Sequence, residues 1–142
     1  MKESILLELK LFKNVANRRF EEMLKKHQLT TMQFFILEYI MDRGKQNVYQ
    51  KDIEKAFDIR RSTVTEILQN MEKQELIERV SVPEDARLKK IVLGKKIHKH
   101  VKKAKKDRIM LEENLEKDIS PEEKTVFVKV LRKIRTKFME KI

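Results

Sequence analysis

The sequence predicts a mostly α-helical chain interrupted by one small β-hairpin, and three observations carry that prediction. Only two Gly and two Pro occur in 142 residues, so helices can run with few breaks. Apolar residues recur at steps of three and four through most of the chain, the spacing that lines up one face of a helix. Between residues 76 and 93 the pattern changes to alternation, in two β-branched runs on either side of Pro83-Glu84-Asp85-Ala86-Arg87. Alternation places one side of each run on a core and the other in water.

The elements follow in order. Ile5, Leu9, Phe12, Ala16, Phe20 and Met23 or Leu24 predict a first helix over residues 4 to about 26. Thr30, with Gln33 three residues on, is a capping pair that starts a second helix over about 31 to 43. Phe34, Leu37, Ile40 and Met41 fill its inner face, and Gly44 stands where a C-terminal cap belongs. Val48-Tyr49 reads as a short edge strand. Gln50 to Phe57 is a two-turn helix burying Ile53 and either Ala56 or Phe57. About three residues then join it to a further helix over 59 to 74, which is helix-turn-helix spacing, although the turn lacks the common Gly.

In that further helix Ile59, Val64, Ile67, Leu68 and Met71 turn inward, leaving Arg61, Ser62, Thr65, Glu66 and Gln69 outside. Arginine forks, hydroxyls and an amide suit base edges and phosphates, and a hydroxyl-rich first turn offers free backbone N–H groups to a phosphate. Leu76 to Val82 and Leu88 to Leu93 form the hairpin, a basic-tipped wing. From Lys95 to about Asp118 a long helix places Ile97, Val101, Ala104, Leu111 and Leu115 on one seam, with Arg108 interrupting it. Gly94 can serve as its N-cap. Ser120-Pro121-Glu122-Glu123 is a strong start for the last helix, whose stripe runs through Val126 or Phe127, Val130 or Leu131, Ile134 and Phe138.

These pieces make one intergrown domain over 1–142. It holds a winged helix-turn-helix lobe at 30–93, flanked by helices at 1–28 and 95–142. The flanking stripes must be covered, and the simplest cover is a second copy. A homodimer is therefore expected, the other arrangement being a monomer with its last two helices folded back.

Charge narrows the partner. The net charge is +11, which favours a polyanion. Arg87, Lys89, Lys90, Lys95, Lys96, Lys99, Lys102, Lys103, Lys105 and Lys106 lie between Ala86 and Lys106 with no acid among them. The absence of Cys excludes disulfides, thiolate metal sites and thiol redox sensing. His98 and His100, two apart on one helix, face different ways, and His27 reads as a helix-end residue. With no phosphate-cradling Gly-rich loop and no HExxH spacing, neither an enzyme nor a bound metal or cofactor is expected. The longest apolar run, Phe34-Phe35-Ile36-Leu37, falls far short of the roughly 20 residues of a membrane span, and Glu3 and Glu8 break any signal-peptide core. The protein is expected to be cytoplasmic and whole, without membrane contact.

Leu76-Ile77-Glu78-Arg79, Pro83-Glu84-Asp85-Ala86-Arg87 and Val92-Leu93, with Ser62-Thr63-Val64-Thr65, Leu68 and Met71, resemble the MarR family of winged helix-turn-helix transcriptional regulators over nearly the full length. The resemblance implies a dimer on double-stranded DNA, with Arg61, Ser62, Thr65 and Gln69 in the major groove. Arg87, oriented by Asp85, would enter the adjacent minor groove. Beside these, Arg60 and Thr63 are expected on phosphate, with Lys89 and Lys90 of the wing. Such regulators, commonly repressors, often carry a small-molecule effector between the winged lobe and the dimer helices; nothing in the residues identifies one here. The chain departs from the family at Glu75, where Gly often precedes the Leu-Ile pair. It departs again at Gly94 and Ile97, where Thr and Gly are common. The competing class is a non-catalytic basic helical module that binds acidic partners, RNA or nucleic acid without sequence selectivity.

Overall fold

The computed structural model describes residues 3–140 and divides into two compact units, residues 1–106 and 107–142. The first unit begins with α1, Ile5–Lys25, whose N-cap Ser4 accepts from the Leu7 N–H at 3.2 Å. In α2, Thr31–Asp42, Thr30 Oγ1 accepts from Gln33 N and Gln33 Oε1 accepts from Thr30 N. Both bonds satisfy donors that a helix start would otherwise leave open. Gly44 follows in the left-handed region at φ 59°, where a side chain would cost free energy.

α3, Gln50–Phe57, and α4, Arg61–Lys73, complete a helix pair. β1, Ile77–Val82, and β2, Asp85–Leu93, form an antiparallel ribbon in the register Ile77↔Leu93 to Ser81↔Lys89. Phe34, Leu37, Ile53, Val64, Leu68, Met71, Ile77 and Ile91 form the buried centre, joined by Val101 and Ala104 from the start of α5, His98–Leu115. Phe20 of α1 stacks on Phe35 with ring centroids 5.3 Å apart. Of the two candidates in α3, Phe57 packs on the core and Ala56 is exposed.

Four boundaries differ from the sequence expectation. Val48-Tyr49 forms no strand: Val48 is buried and accepts a single backbone bond, from Ile91 N at 2.7 Å. β2 starts at Asp85, because the turn is only Pro83-Glu84 and Val82 pairs with Asp85 across a register shift. The helix expected over 59 to 74 begins at Arg61, since Ile59 and Arg60 complete the turn from α3. α5 begins at His98 after a turn over 95–97, so Gly94 is not its N-cap. Gly94 instead donates its N–H to Leu76 O at 2.9 Å, and a Cβ there would lie 2.2 Å from Glu75 O. That close approach ends the ribbon before the helix can start.

The second unit takes in the end of α5, a turn and α6, Pro121–Met139. Ser120 and Glu123 form the expected capping box, with bonds of 3.1 and 2.9 Å. Lys124 Nζ reaches Glu116 Oε1 at 2.7 Å. Arg108, the arginine in the apolar seam, pairs with Glu112 at 3.2 Å. No residue of α6 is buried.

Candidate nucleic-acid interface

The helix pair turns sharply because Asp58 adopts the left-handed conformation, φ 50°. Asp is among the few residues that tolerate it, so it supplies what the missing Gly would have supplied. Ile59 N then bonds back to Glu54 O at 3.1 Å, and Arg60 follows extended as the N-cap of α4. No side chain caps this helix start. Its first N–H groups are therefore available to an outside acceptor.

Val64, Leu68 and Met71 pin α4 to the core. Arg61, Ser62, Glu66 and Gln69 are exposed on the other side, as the periodicity predicts, and Thr63 is exposed beside them. Thr65 differs. It is half-buried, its hydroxyl donates to Arg61 O at 2.9 Å and accepts from Gln50 Nε2 at 2.8 Å. Gln50 thereby ties the start of α3 to the reading side of α4. It is a site residue that the sequence did not single out, because its partner lies 15 positions away.

At the wing, Asp85 Oδ1 accepts from Arg87 N at 2.9 Å and faces Arg87 Nε at 3.3 Å. The Arg87 side chain remains 91% exposed, so the carboxylate sets its base while leaving its guanidinium open. An ion pair this exposed adds little stability. Its consequence is orientation.

The structure brings Arg61, Arg87 and Lys89 to one open groove of about 470 Å³, together with Tyr49, Gln50 and Arg79. Lys90, paired with Val80 in the ribbon, does not line it. Arg79 belongs to the wing motif but is not among the site residues that the sequence suggests. Its Nε lies 3.7 Å from Glu72 Oε1, and its buried Nε and Nη2 make no hydrogen bond. A guanidinium so placed is a ready donor fork for an anion. Asp52 and Glu54 close the groove on the α3 side, which limits where a phosphate can sit.

Other chemistries find less support. Among the described residues no three His, Cys, Asp or Glu side chains come together as metal ligands, and no helix is long and apolar enough to cross a membrane. His27 is buried, its carbonyl accepts from His100 Nε2 at 2.6 Å and the two rings meet edge to face. Both histidines thus act within the packing between α1 and α5.

A short-turn helix pair followed by a basic-tipped ribbon defines a winged helix-turn-helix protein. Residues 27–88 match the model of the MarR family. The chain is 28% identical to the transcription regulator MarR from Oenococcus oeni PSU-1, covering 94% of this chain and 99% of that one with a TM-score of 0.82. It shares the fold of MepR from S. aureus, solved in complex with DNA, at 23% identity, 97% and 100% coverage and a TM-score of 0.88. It also shares the fold of the heme sensor PefR from Streptococcus agalactiae, solved with heme, at 20% identity, 94% and 92% coverage and a TM-score of 0.69. A comparison with curated proteins gave no match.

Proposed function

We propose that the chain is a sequence-specific, double-stranded-DNA-binding transcriptional regulator, non-catalytic and acting as a homodimer on a pseudo-palindromic operator, most simply as a repressor. The observation that carries this reading is the shared groove of Arg61, Arg87 and Lys89, which joins the uncapped start of α4 to the wing tip on a lobe that matches the model of the MarR family. Arg61, Ser62 and Gln69 read base edges in the major groove. Thr65 contributes by holding the Gln50 amide beside them. Arg60, Thr63, Lys89 and Lys90 bind backbone phosphates, and Arg87, set by Asp85, enters the minor groove.

The solved DNA complex of the similarly folded MepR and the function named for the Oenococcus oeni relative support this reading. A small-molecule effector acting on the dimer is part of the proposal; its chemistry is not. A thiol-oxidation switch is excluded by the lack of Cys.

Selection of bound duplex from a random pool tests the function directly. The expected product is a pseudo-palindrome with half-sites about one helical turn apart. Arg87→Ala should weaken binding to it by about 1–3 kcal/mol. Equal affinity for the selected site and for random duplex at matched salt would instead support the basic module without sequence selectivity.

A further inference from the structure

The ten cations between Ala86 and Lys106 do not form one surface. Arg87 and Lys89 lie with Arg61 in the groove beside α3, against the N-terminal end of α4. Lys95 and Lys96 line a different groove, shared with Glu72, Glu75 and Glu78 at the C-terminal end of α4. Beyond them, Lys99, Lys102, Lys103 and Lys106 of α5 fall within one arc of about 100° and roughly 10 Å of helix length. Val101 and Ala104, on the opposite side of that helix, are buried. All four lysines are exposed, and among the described residues none has an ion-pair or hydrogen-bond partner, whereas Lys105 beside them is held by Asp42 at 2.7 Å. The stripe ends at Met110 and Glu113.

From this separation we infer that the α5 lysine stripe is a second DNA-binding surface, taking the phosphate backbone of duplex outside the operator half-sites, without sequence selectivity. The inference rests on the regulator reading above. The chemistry of the stripe selects the partner. No large apolar side chain is exposed between Leu88 and Ile109, so the surface lacks the apolar centre that a protein partner would bury. No Phe, Tyr or Trp occurs between residues 58 and 126, so it lacks the stacking platforms that hold single strands. The stripe presents four lysines with one carboxylate, Asp107, at its edge and no amide in its arc, so it offers point charges, which suit evenly spaced phosphates. No stripe lysine lines the groove of Arg61, Arg87 and Lys89, and Lys95 and Lys96, which precede the stripe in the chain, share their groove with three acids, so the stripe is assigned a duplex of its own. A regulator built this way bridges its operator to a second stretch of DNA.

The test immobilises a duplex cut to the two selected half-sites, saturates it with the full chain and offers a labelled duplex of unrelated sequence. The wild type should capture the labelled duplex. The combined variant Lys99→Gln, Lys102→Gln, Lys103→Gln, Lys106→Gln should lose capture at least tenfold, keep its affinity for the short operator within about twofold and keep its melting temperature. The log–log salt slope of capture should fall by about 0.9 for each phosphate contact removed. The inference is overturned if the wild type captures nothing, if the variant captures equally well, or if operator affinity falls in step with capture. Stripe-dependent binding of polyglutamate with no capture of duplex would also overturn it and assign the surface to an acidic protein. Each of these results leaves operator binding measurable. Failure of the regulator reading shows differently, as no preferred site in the selection, and removes both proposals.

Discussion

Glu75 and Gly94 lie far apart in the chain and meet in space. Glu75 sits at φ 62°, a conformation that costs a residue with a side chain about 1–2 kcal/mol. Gly94 has no room for a Cβ, since the Glu75 carbonyl would stand 2.2 Å from it. Glu75→Gly should therefore raise unfolding free energy by about 1 kcal/mol, part of the relief being offset by the freer unfolded chain. Gly94→Ala should lower it by about 1–3 kcal/mol, as overpacking against an immobile backbone does. Urea titration measures both, and an unchanged Glu75→Gly midpoint would mean that the left-handed turn carries no strain. The sequence marks both positions as unusual, yet their contact could not be read from it. They are 19 positions apart, and only the ribbon pairing brings them together. Thr65 and Gln50 teach the same lesson at the reading face. Helical periodicity placed Thr65 on the outer side of α4, but the hydroxyl is used by a partner on another helix.

Helix starts divide into those written locally and those set at long range. The starts of α2 and α6 are local: a Thr or Ser with Gln or Glu three residues on specifies two bonds without reference to the rest of the fold. They were legible for that reason. The starts of α4 and α5 are not. α4 begins where the turn from α3 lets it, with Arg60 at a position that usually carries Ser, Thr, Asp or Asn. Arg60→Ser should raise the stability of the free protein by about 0.5–2 kcal/mol and weaken binding to the selected operator. Calorimetry and an electrophoretic shift of the same sample check the pair of outcomes, and a gain in both would show that Arg60 contributes nothing to phosphate binding. The turn into α6 is sensitive to pH in the opposite range from acid unfolding. Hydrogen bonding to Glu116, then the charge of Glu116, raises the Lys124 pKa above its ordinary 10.5. The folded state thus holds this proton more tightly, so the small stabilisation is fully present below pH 10.5 and is lost as pH rises through the folded-state value. Lys124→Gln should lower the melting temperature slightly at neutral pH, and the difference from wild type should vanish in strong base.

At the scale of the whole molecule, apolar exposure and charge oppose each other. α1 leaves Ile5, Leu6, Leu11, Phe12 and Val15 exposed, and α6 leaves Val126, Phe127, Val130, Phe138 and Met139 exposed. Exposed apolar side chains in such number on single helices mark a surface made for a partner. The sequence already showed these stripes, because amphipathic periodicity is visible whether or not the partner is present. Which side chains stay uncovered was not legible: Leu131 and Ile134 are half-buried while Val126 and Phe127 are open. If a second copy covers these faces, two chains of net charge +11 must come together. Their mutual repulsion is long-ranged and screened by salt, with a Debye length of about 10 Å at 0.1 M. Burial of the apolar faces is not weakened by salt in this way. Dimerisation should therefore tighten as salt rises, whereas DNA binding should weaken with a log–log slope of about 0.9 per phosphate contacted. Light scattering at micromolar protein over a salt series, beside operator titrations at the same salts, gives both trends. A monomer mass throughout would remove the homodimer. A dimer that dissociates as salt rises would show that ion pairs, and not the apolar stripes, hold it together.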